Sequence, residues 1–354
     1  MMNYKETLFF VGKCLTISHE EHNRIIVENE IKSGNVNWDN VVKLSTEHYV
    51  FPALYCNFKR ANFLHYLPEE LVNYMKHITD LNRERNLQII EQAKEINELL
   101  LAHNITPIFL KGTGNLLEGL YEDIAERMVG DIDFLVSKED FTTTVKILKN
   151  EGYTSKEKID NTIFNRHYPK IIKENKISSV EIHYKMVINE MFFNFNYVIE
   201  NVKKLNNTIT VLSSKDQFLL TAYNKQINDK GQWYKMISLR NSYDLFLISK
   251  LISVIETLKK FKNSETKYLN NFIASCSLIF NEPKSLDYIK TKETNSFLNN
   301  QIAIINNPKK ASFNKKKWDK YFLYKSRATI IFKSIYIKEY RIWLFKRLIR
   351  GRQN

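Results

Sequence analysis

The chain has 354 residues, 44% of them hydrophobic, so it can bury a sizeable core, and a largely disordered protein is excluded. It contains only 9 glycines and 6 prolines, which disfavours a turn-rich all-β sandwich or barrel and predicts long helices. The net charge is +14, and residues 308–354 carry almost all of it, so the basic character concerns the tail rather than the body.

The first hundred residues are predicted to be helical. Apolar residues recur at helical spacing over residues 66–103, and Asn104 and Pro107 are expected to end that helix. A short apolar strand is predicted at residues 107–110. It is followed at once by a glycine-containing turn and a helical stretch that reaches about Tyr121.

A second strand is predicted at residues 131–136, where hydrophobic residues alternate with Asp131 and Asp133. An amphipathic helix over residues 138–151 is expected to stop at Gly152. Two more strands are predicted at residues 170–173 and 178–184, and helices return at residues 218–227, 233–255 and 269–280.

This order of elements predicts the α+β class, with a small mixed-sheet core flanked by N-terminal and C-terminal helical segments. The expected segments are a helical N-terminal segment (residues 1–104), the α/β core (105–212), a second helical segment (213–307) and a basic C-terminal helical tail (308–354).

The cellular location is predicted from what the sequence lacks. No stretch approaches the roughly 18 uninterrupted apolar residues that a membrane span needs, so no transmembrane segment is expected. We expect a cytoplasmic protein, with peripheral attachment to the inner membrane face as the alternative. The cysteines Cys14, Cys56 and Cys276 are isolated, so reduced, buried thiols are expected rather than a disulfide framework or a zinc ribbon.

The motif that carries chemistry is an Asp-x-Asp pair after a glycine turn. On an extended strand Asp131 and Asp133 project from the same face, with Cα atoms about 7 Å apart. Such a pair can hold Mg²⁺, which prefers one or two carboxylates plus substrate phosphate oxygens. Upstream, Gly112 lies where a strand leads into a helix, so unpaired backbone N–H groups can bind a phosphate there. For the Asp-x-Asp pair alone, a solvated pair at the start of a strand is the alternative.

Taken together, these residues resemble the uncharacterised nucleotidyltransferase family of the polymerase-β-like superfamily. The family pattern runs Leu-Lys-Gly, a helix with a tyrosine, an arginine, a strand with two aspartates, Gly-Tyr, a histidine and finally Glu-x-His. The resemblance covers roughly residues 85–250. The matching positions are Leu110-Lys111-Gly112, Tyr121, Arg127, Asp131 to Val136, Gly152-Tyr153, His167 and Glu181-Ile182-His183.

The resemblance implies three carboxylates around one or two Mg²⁺ ions. Glu181 is expected to join Asp131 and Asp133, since it faces away from Val180 and Ile182 on a later strand. In the superfamily this carboxylate acts as general base for the attacking hydroxyl or completes the metal shell. The alternative is a surface glutamate that only solubilises its strand.

The resemblance also implies a triphosphate site and an acceptor side. Lys111 and Arg127 are expected to neutralise triphosphate charge, unless one of them is a structural ion-pair partner. His167 and His183 are candidates for the acceptor side, with a hydrogen-bonded structural role as the alternative. The expected nucleotide-binding residues are Lys111, Gly112, Thr113 and Arg127.

The leading functional hypothesis is a magnesium-dependent nucleotidyltransferase. An acceptor hydroxyl would attack the α-phosphorus of an NTP, and pyrophosphate would leave. The resemblance implies a sugar or small-metabolite acceptor, in surface-polysaccharide or small-metabolite biosynthesis. The alternatives are an RNA or protein acceptor, or a non-catalytic scaffold that docks through its basic tail.

The tail supports its own hypotheses. Residues 328–350 place apolar side chains near one helical face and Lys or Arg elsewhere, which is typical of an interfacial helix attracted to an anionic membrane surface. RNA binding through residues 308–354 is a second hypothesis, and a terminal helix docked on the body with solvated charges is a third.

Overall fold

The computed structural model describes residues 2–155, 166–187, 193–261 and 264–350. Helices surround one mixed sheet, which confirms the predicted α+β class. The helices are α1 (Tyr4–Cys14), α2 (Glu21–Lys32), α3 (Trp38–Glu47), α4 (Phe51–Arg60), α5 (Glu69–Leu101), α6 (Lys111–Glu118), α7 (Phe141–Asn150), α8 (Phe195–Ile199), α9 (Ser214–Tyr223), α10 (Gly231–Tyr234), α11 (Leu239–Ser249), α12 (Val254–Lys260), α13 (Thr266–Ile279), α14 (Lys292–Ile305), α15 (Pro308–Tyr336) and α16 (Lys338–Arg350). The strands are β1 (Ile108–Phe109), β2 (Asp131–Leu135), β3 (Thr154–Ser155), β4 (Ile171–Ile172), β5 (Ser179–His183), β6 (Lys203–Leu205) and β7 (Ile209–Val211).

The strands that the structure describes are ordered β3-β4-β5-β2-β1-β7-β6 across the sheet. The central strand β2 pairs in parallel with β5 and in antiparallel fashion with β1, which in turn pairs in parallel with β7. Strands β1, β2, β4 and β5 were predicted, β2 and β5 of them from alternation. Strands β3, β6 and β7 were not predicted, because two or three residues are too few to show a period of two.

Helix α5 supports the sheet and the loop before β2 through side-chain amides. The Asn82 amide donates to the carbonyl of Ala125 at 2.7 Å, and the Asn86 amide donates to the carbonyl of Arg127 at 2.7 Å. Gln92, further along the same helix, exchanges two hydrogen bonds with the backbone of Ser178, just before β5. One helix therefore fixes the segments that lead into both central parallel strands.

Buried apolar side chains form one contiguous cluster that runs from the N-terminal helices through the sheet to the helices after it. Cys14, Cys56 and Cys276 are free thiols buried in this cluster, as the sequence predicted. Burial raises the pKa of each thiol above its ordinary value. The three cysteines therefore contribute packing rather than reactivity.

Two predicted helices are interrupted. The stretch 233–255 is divided among α10, α11 and α12, and Lys235 adopts a left-handed conformation (φ 57°) that ends α10. The stretch 328–350 is divided between α15 and α16 by Ile337, whose backbone is extended (φ −111°, ψ 114°). The break at Ile337 lets α16 pack against α15 instead of continuing away from it.

In the described residues, the tail docks on the body through the first part of α15. The rings of Trp318 and Phe322 pack against Trp233, and Tyr234 donates a hydrogen bond to Asp319 at 2.7 Å. In the described residues, no helix combines the length and the apolarity that a bilayer span requires. Beyond the docked part, large apolar side chains are exposed: Ile331, Phe332, Ile335, Tyr336, Ile342 and Phe345.

Candidate active site

The candidate site is built on the pairing of β2 with β5. The two strands are parallel, and their register places Asp131 opposite Ser179, Asp133 opposite Glu181, and Leu135 opposite His183. Because side chains alternate along a strand, Asp131, Asp133, Glu181 and His183 share one face of the sheet. The register thus brings the third expected carboxylate directly beside the Asp-x-Asp pair.

The carboxylates of Asp133 and Glu181 are buried, with 7% and 9% of each residue exposed. Lys111 Nζ lies 2.7 Å from Asp133 Oδ1 and 3.8 Å from Glu181 Oε2. His183 Nε2 lies 2.9 Å from the same Asp133 oxygen and 3.4 Å from Glu181 Oε2. Burial alone would raise the pKa of both carboxyl groups. The nearby Lys111 charge and the His183 hydrogen bond outweigh burial and hold both pKa values below their ordinary range, so both groups are carboxylates at neutral pH.

Asp131 lies at the more exposed end of the same row. Its carboxylate accepts a hydrogen bond from the Ser179 hydroxyl and lies 2.6 Å from Lys170 Nζ, which is also 3.5 Å from Glu181 Oε1. Lysine ammonium groups thus contact all three carboxylates. Lys170 was not predicted, because its place beside the row depends on strand pairing that no local pattern encodes.

The donor atoms fit a divalent cation. One ligand atom from each of Asp133, Glu181 and His183 lies within 4.8 Å of the others. Carboxylate oxygens suit Mg²⁺ and Mn²⁺, and an added imidazole nitrogen is a common ligand for transition metals. A cation would compete with the ammonium groups of Lys111 and Lys170 for the same oxygens.

The predicted glycine turn lies at the N-terminus of α6, beside this row. Lys111 begins the helix with a left-handed backbone (φ 53°), and Gly112 lines the same pocket as the carboxylates. A Cβ atom on Gly112 would lie 3.2 Å from Val129 Cγ2 and 3.4 Å from Arg127 Nη2. Thr113 is buried and is not among the residues that line the pocket. Its hydroxyl donates to the carbonyl of Asp131 at 3.0 Å, which ties α6 to β2.

Arg127 is buried in an ion pair. Its Nε lies 2.9 Å from the carboxylate of Asp244 on α11, which also accepts a 2.7 Å hydrogen bond from the Tyr121 hydroxyl. Burial alone would lower the pKa of Arg127, but Asp244 outweighs it and raises the pKa above the ordinary value. The guanidinium borders the pocket but already has a buried counter-ion.

The two predicted histidines differ in position. His183 is fully buried within the carboxylate cluster. His167 is half-buried, its Nδ1 lies 2.9 Å from the carbonyl of Tyr168, and its ring centroid lies 5.0 Å from that of His183. The structure therefore places His183 among the carboxylates. His167 lies next to the ring of His183 and is not in the group formed by Asp133, Glu181 and His183.

The carboxylates and Gly112 open onto a cavity of about 250 Å³ that is closed on its other side by the helices after the sheet. Arg166, which precedes β4, and Arg240, on α11, also line it, and neither was predicted. Neither arginine belongs to a sequence motif. They were not predicted because only the tertiary fold brings them to the cavity. The helical side of the cavity is lined by Thr221, Asn224, Lys225, Asp229, Arg240, Asn241 and Asp244.

A model of the family described as uncharacterised nucleotidyltransferase matches residues 34–252. The match begins before the sequence resemblance at residues 85–250 and includes α3 to α5, the sheet and the helices that close the cavity. Comparisons with curated proteins and with solved structures gave no match. The family match spans more than half of the chain and contains every residue of the carboxylate row. The chain therefore belongs to the uncharacterised nucleotidyltransferase family and is a nucleotidyltransferase.

Proposed function

We propose that the protein transfers an NMP from an NTP to an acceptor hydroxyl with the help of Mg²⁺, and that Asp131, Asp133 and Glu181 hold one or two of these ions. The observation that carries the proposal is the register of Asp133 with Glu181, which sets three carboxylates beside the N-terminus of α6. In this arrangement a phosphate chain could contact the backbone N–H groups and, at the same time, the Mg²⁺ that the carboxylates would hold.

In the proposed reaction the acceptor oxygen forms a bond to the α-phosphorus, and the bond from that phosphorus to the β-phosphate bridging oxygen breaks. Pyrophosphate leaves with the electron pair. When bound, Mg²⁺ neutralises the phosphate charge and polarises the α-phosphorus. The low pKa of Glu181 makes it a weak base, so we assign it to the metal shell, and the acceptor proton passes to solvent.

The chain's own residues would supply positioning and charge. The row of carboxylates stands on two paired strands, which keeps its geometry rigid. We propose that the Gly112 turn cradles the phosphates and that the Lys111 ammonium moves from Asp133 to a phosphate oxygen when a metal binds. His183, with Nε2 beside both buried carboxylates, would orient them.

The acceptor is proposed to be a sugar or small metabolite, as the family resemblance implies, in surface-polysaccharide or small-metabolite biosynthesis. RNA or protein acceptors are the second candidates. The experiment is a thermal unfolding scan of the full chain with each NTP, with and without Mg²⁺, followed by incubation of the stabilising NTP, labelled at the α-phosphate, with small-molecule and macromolecular cell fractions.

We expect one NTP to raise the melting temperature in the presence of Mg²⁺ by mass action. Label should then appear in the small-molecule fraction, whereas label in the macromolecular fraction would favour an RNA or protein acceptor. A chain that no NTP stabilises, and that transfers no label, would support the scaffold hypothesis instead.

We also propose that the end of the tail attaches the enzyme to an anionic membrane surface. Ile331, Phe332, Ile335 and Phe345 are each more than half exposed, and the tail carries 15 Lys and Arg against two acids. Exposed apolar side chains among many cations favour a lipid surface, because RNA would use the charges and the aromatic rings but would leave the aliphatic Ile331 and Ile335 in water.

A further inference from the structure

Among the residues that the structure describes, five cationic side chains line the active-site cavity, and they divide into two groups. Lys111, Arg127 and Lys225 each have a carboxylate partner, at 2.7, 2.9 and 2.7 Å respectively. For Arg166 and Arg240, by contrast, no carboxylate oxygen lies within 4.0 Å in the part of the chain that the structure describes. Two guanidinium groups therefore reach the cavity without a counter-ion.

Both of these arginines are held in place by neutral groups. Arg166 Nη1 donates to the carbonyl of Met186 at 2.7 Å, and Arg240 Nη1 donates to the carbonyl of Met128 at 3.2 Å. Arg240 also lies over the ring of Tyr49, and its buried Nε has no hydrogen-bond partner among the described residues. These contacts orient the side chains but do not neutralise them.

The electrostatic environment makes this arrangement costly for the free protein. Burial lowers the pKa of both arginines, and for Arg240 burial and the nearby Arg127 charge lower it to about 10. Both groups still carry their charge at neutral pH. A partly buried charge without a partner costs free energy, and a multivalent anion would recover that cost.

We propose that Arg166 and Arg240 are the anion anchors of the cavity and bind the phosphate chain of the nucleotide, a role for which they are better suited than Arg127, whose charge Asp244 already neutralises. The guanidinium fork matches phosphate oxygens in two parallel hydrogen bonds. This inference rests on the proposed function for the identity of its ligand as a nucleotide, but the anion site itself does not.

The geometry gives the two arginines different surroundings. The carboxylates of Asp229, Glu181 and Asp133 act electrostatically on Arg166, whereas Arg127 and Asp244 act on Arg240. Arg166 therefore lies between the carboxylate row and the helical side of the cavity, and Arg240 lies near Arg127, which borders the Gly112 turn. A phosphate chain that spans the cavity can contact both.

The test measures binding of inorganic triphosphate to the full chain by calorimetry, with and without Mg²⁺. The variants are Arg166→Gln, Arg240→Gln and Arg240→Lys, and the matched control is Arg327→Gln, which removes the same charge from an exposed position on α15. We expect Arg166→Gln and Arg240→Gln each to weaken binding by about 10-fold or more, Arg240→Lys to weaken it less, and Arg327→Gln to leave it unchanged.

Thermal unfolding without ligand gives a second, independent readout. If the arginines serve an anion, Arg240→Gln should melt at a temperature at least as high as the wild type, because the substitution removes an unpaired charge. A purely structural role predicts a lower melting temperature. Should Arg240→Gln fail to fold, the triphosphate affinities of Arg166→Gln and Arg240→Lys decide whether the two arginines bind the anion.

Wild-type affinity in both glutamine variants, an equal loss in Arg327→Gln, or no binding of triphosphate by the wild type would overturn the inference. Failure of the proposed function has a different signature, in which triphosphate binds through both arginines but no NMP is transferred under any condition.

Discussion

Arg127 and Asp244 form a buried ion pair across 117 residues of chain, with 2.9 Å between Nε and the carboxylate. The pair joins the loop before β2 to helix α11, and thus ties the sheet side of the cavity to its helical side. The pair gives Arg127 a structural role, and the nucleotide-binding role expected from the sequence stays a prediction.

Removing one partner of this pair should be strongly destabilising. Arg127→Met leaves the Asp244 carboxylate buried without its counter-ion, and we expect a loss of about 3–5 kcal/mol in the free energy of unfolding. Urea denaturation measures it. The double variant Arg127→Met/Asp244→Leu should recover part of the loss, and a single variant within 1 kcal/mol of the wild type would contradict the structural assignment of Arg127.

Asp133→Asn should reduce nucleotide transfer on the order of 100-fold or more, because it removes a charged ligand from the centre of the carboxylate row. The amide retains an oxygen that can accept from Lys111, so the fold should survive with a modest loss of stability. Transfer is measured at saturating NTP and Mg²⁺, and Asp39→Asn, an exposed aspartate on α3, is the matched control. Wild-type turnover in Asp133→Asn would exclude this residue from catalysis.

Gly112→Val should weaken NTP binding by about 10-fold or more, because a side chain there enters the space next to Val129 and Arg127 and blocks access to the backbone N–H groups. Gly112→Ala should have a smaller effect of the same sign. Equilibrium binding of the NTP measures both, with circular dichroism as the check on folding. If a folded Gly112→Val protein binds the NTP with wild-type affinity, the phosphate site lies elsewhere.

The membrane proposal predicts binding to vesicles that contain phosphatidylserine and weaker binding to vesicles of phosphatidylcholine alone. The binding should fall steeply as salt is raised, since exposed charges are screened over about 8 Å at physiological ionic strength. The variant Phe332→Glu/Ile335→Glu should bind much less in a flotation assay, whereas Phe313→Glu, an equally exposed position earlier on α15, should bind like the wild type. Retention on RNA without retention on vesicles would favour the RNA alternative.

The burial of Lys235, at the end of α10, predicts a pH dependence of the free energy of unfolding. Burial lowers its pKa to about 8, and its ammonium lies 3.9 Å from the centre of the Phe297 ring. The unfolded chain therefore holds this proton more tightly than the folded protein does. The free energy of unfolding should rise between pH 8 and about 10.5 in the wild type relative to Lys235→Met, as chemical denaturation across that range would show. Parallel pH profiles for the two proteins would contradict the assignment.

The part of the site that could be predicted is the part that local periodicity encodes. Alternation along β2 and β5 predicted that Asp131 and Asp133 share a face, and that Glu181 projects away from Val180 and Ile182. The two carboxyl groups of β2 meet that of Glu181 only through the register between β2 and β5. In the described residues a helix and two further strands separate these strands along the chain, and a single sequence does not specify their register.

The unpredicted residues are those that tertiary structure alone brings to the cavity. Arg166 and Lys170 lie in the segment before β4, and Arg240 lies on α11. None of the three belongs to a motif, and sequence gives no reason to prefer them over other basic residues. The roles assigned to Thr113 and His167 stay predictions. The hydroxyl of Thr113 donates a hydrogen bond to the backbone of β2, and the ring of His167 lies next to that of His183.

The amide contacts of α5 restrict how the length of the chain can change. Asn82, Asn86 and Gln92 bond to segments before β2 and β5, so their side chains must keep a fixed angular relation around the helix axis. One inserted or deleted residue between positions 82 and 92 would rotate one end by 100° and shift it by about 1.5 Å. Either Asn82 and Asn86 or Gln92 would then lose their carbonyl partners. Length variation should therefore be tolerated outside this interval and selected against within it.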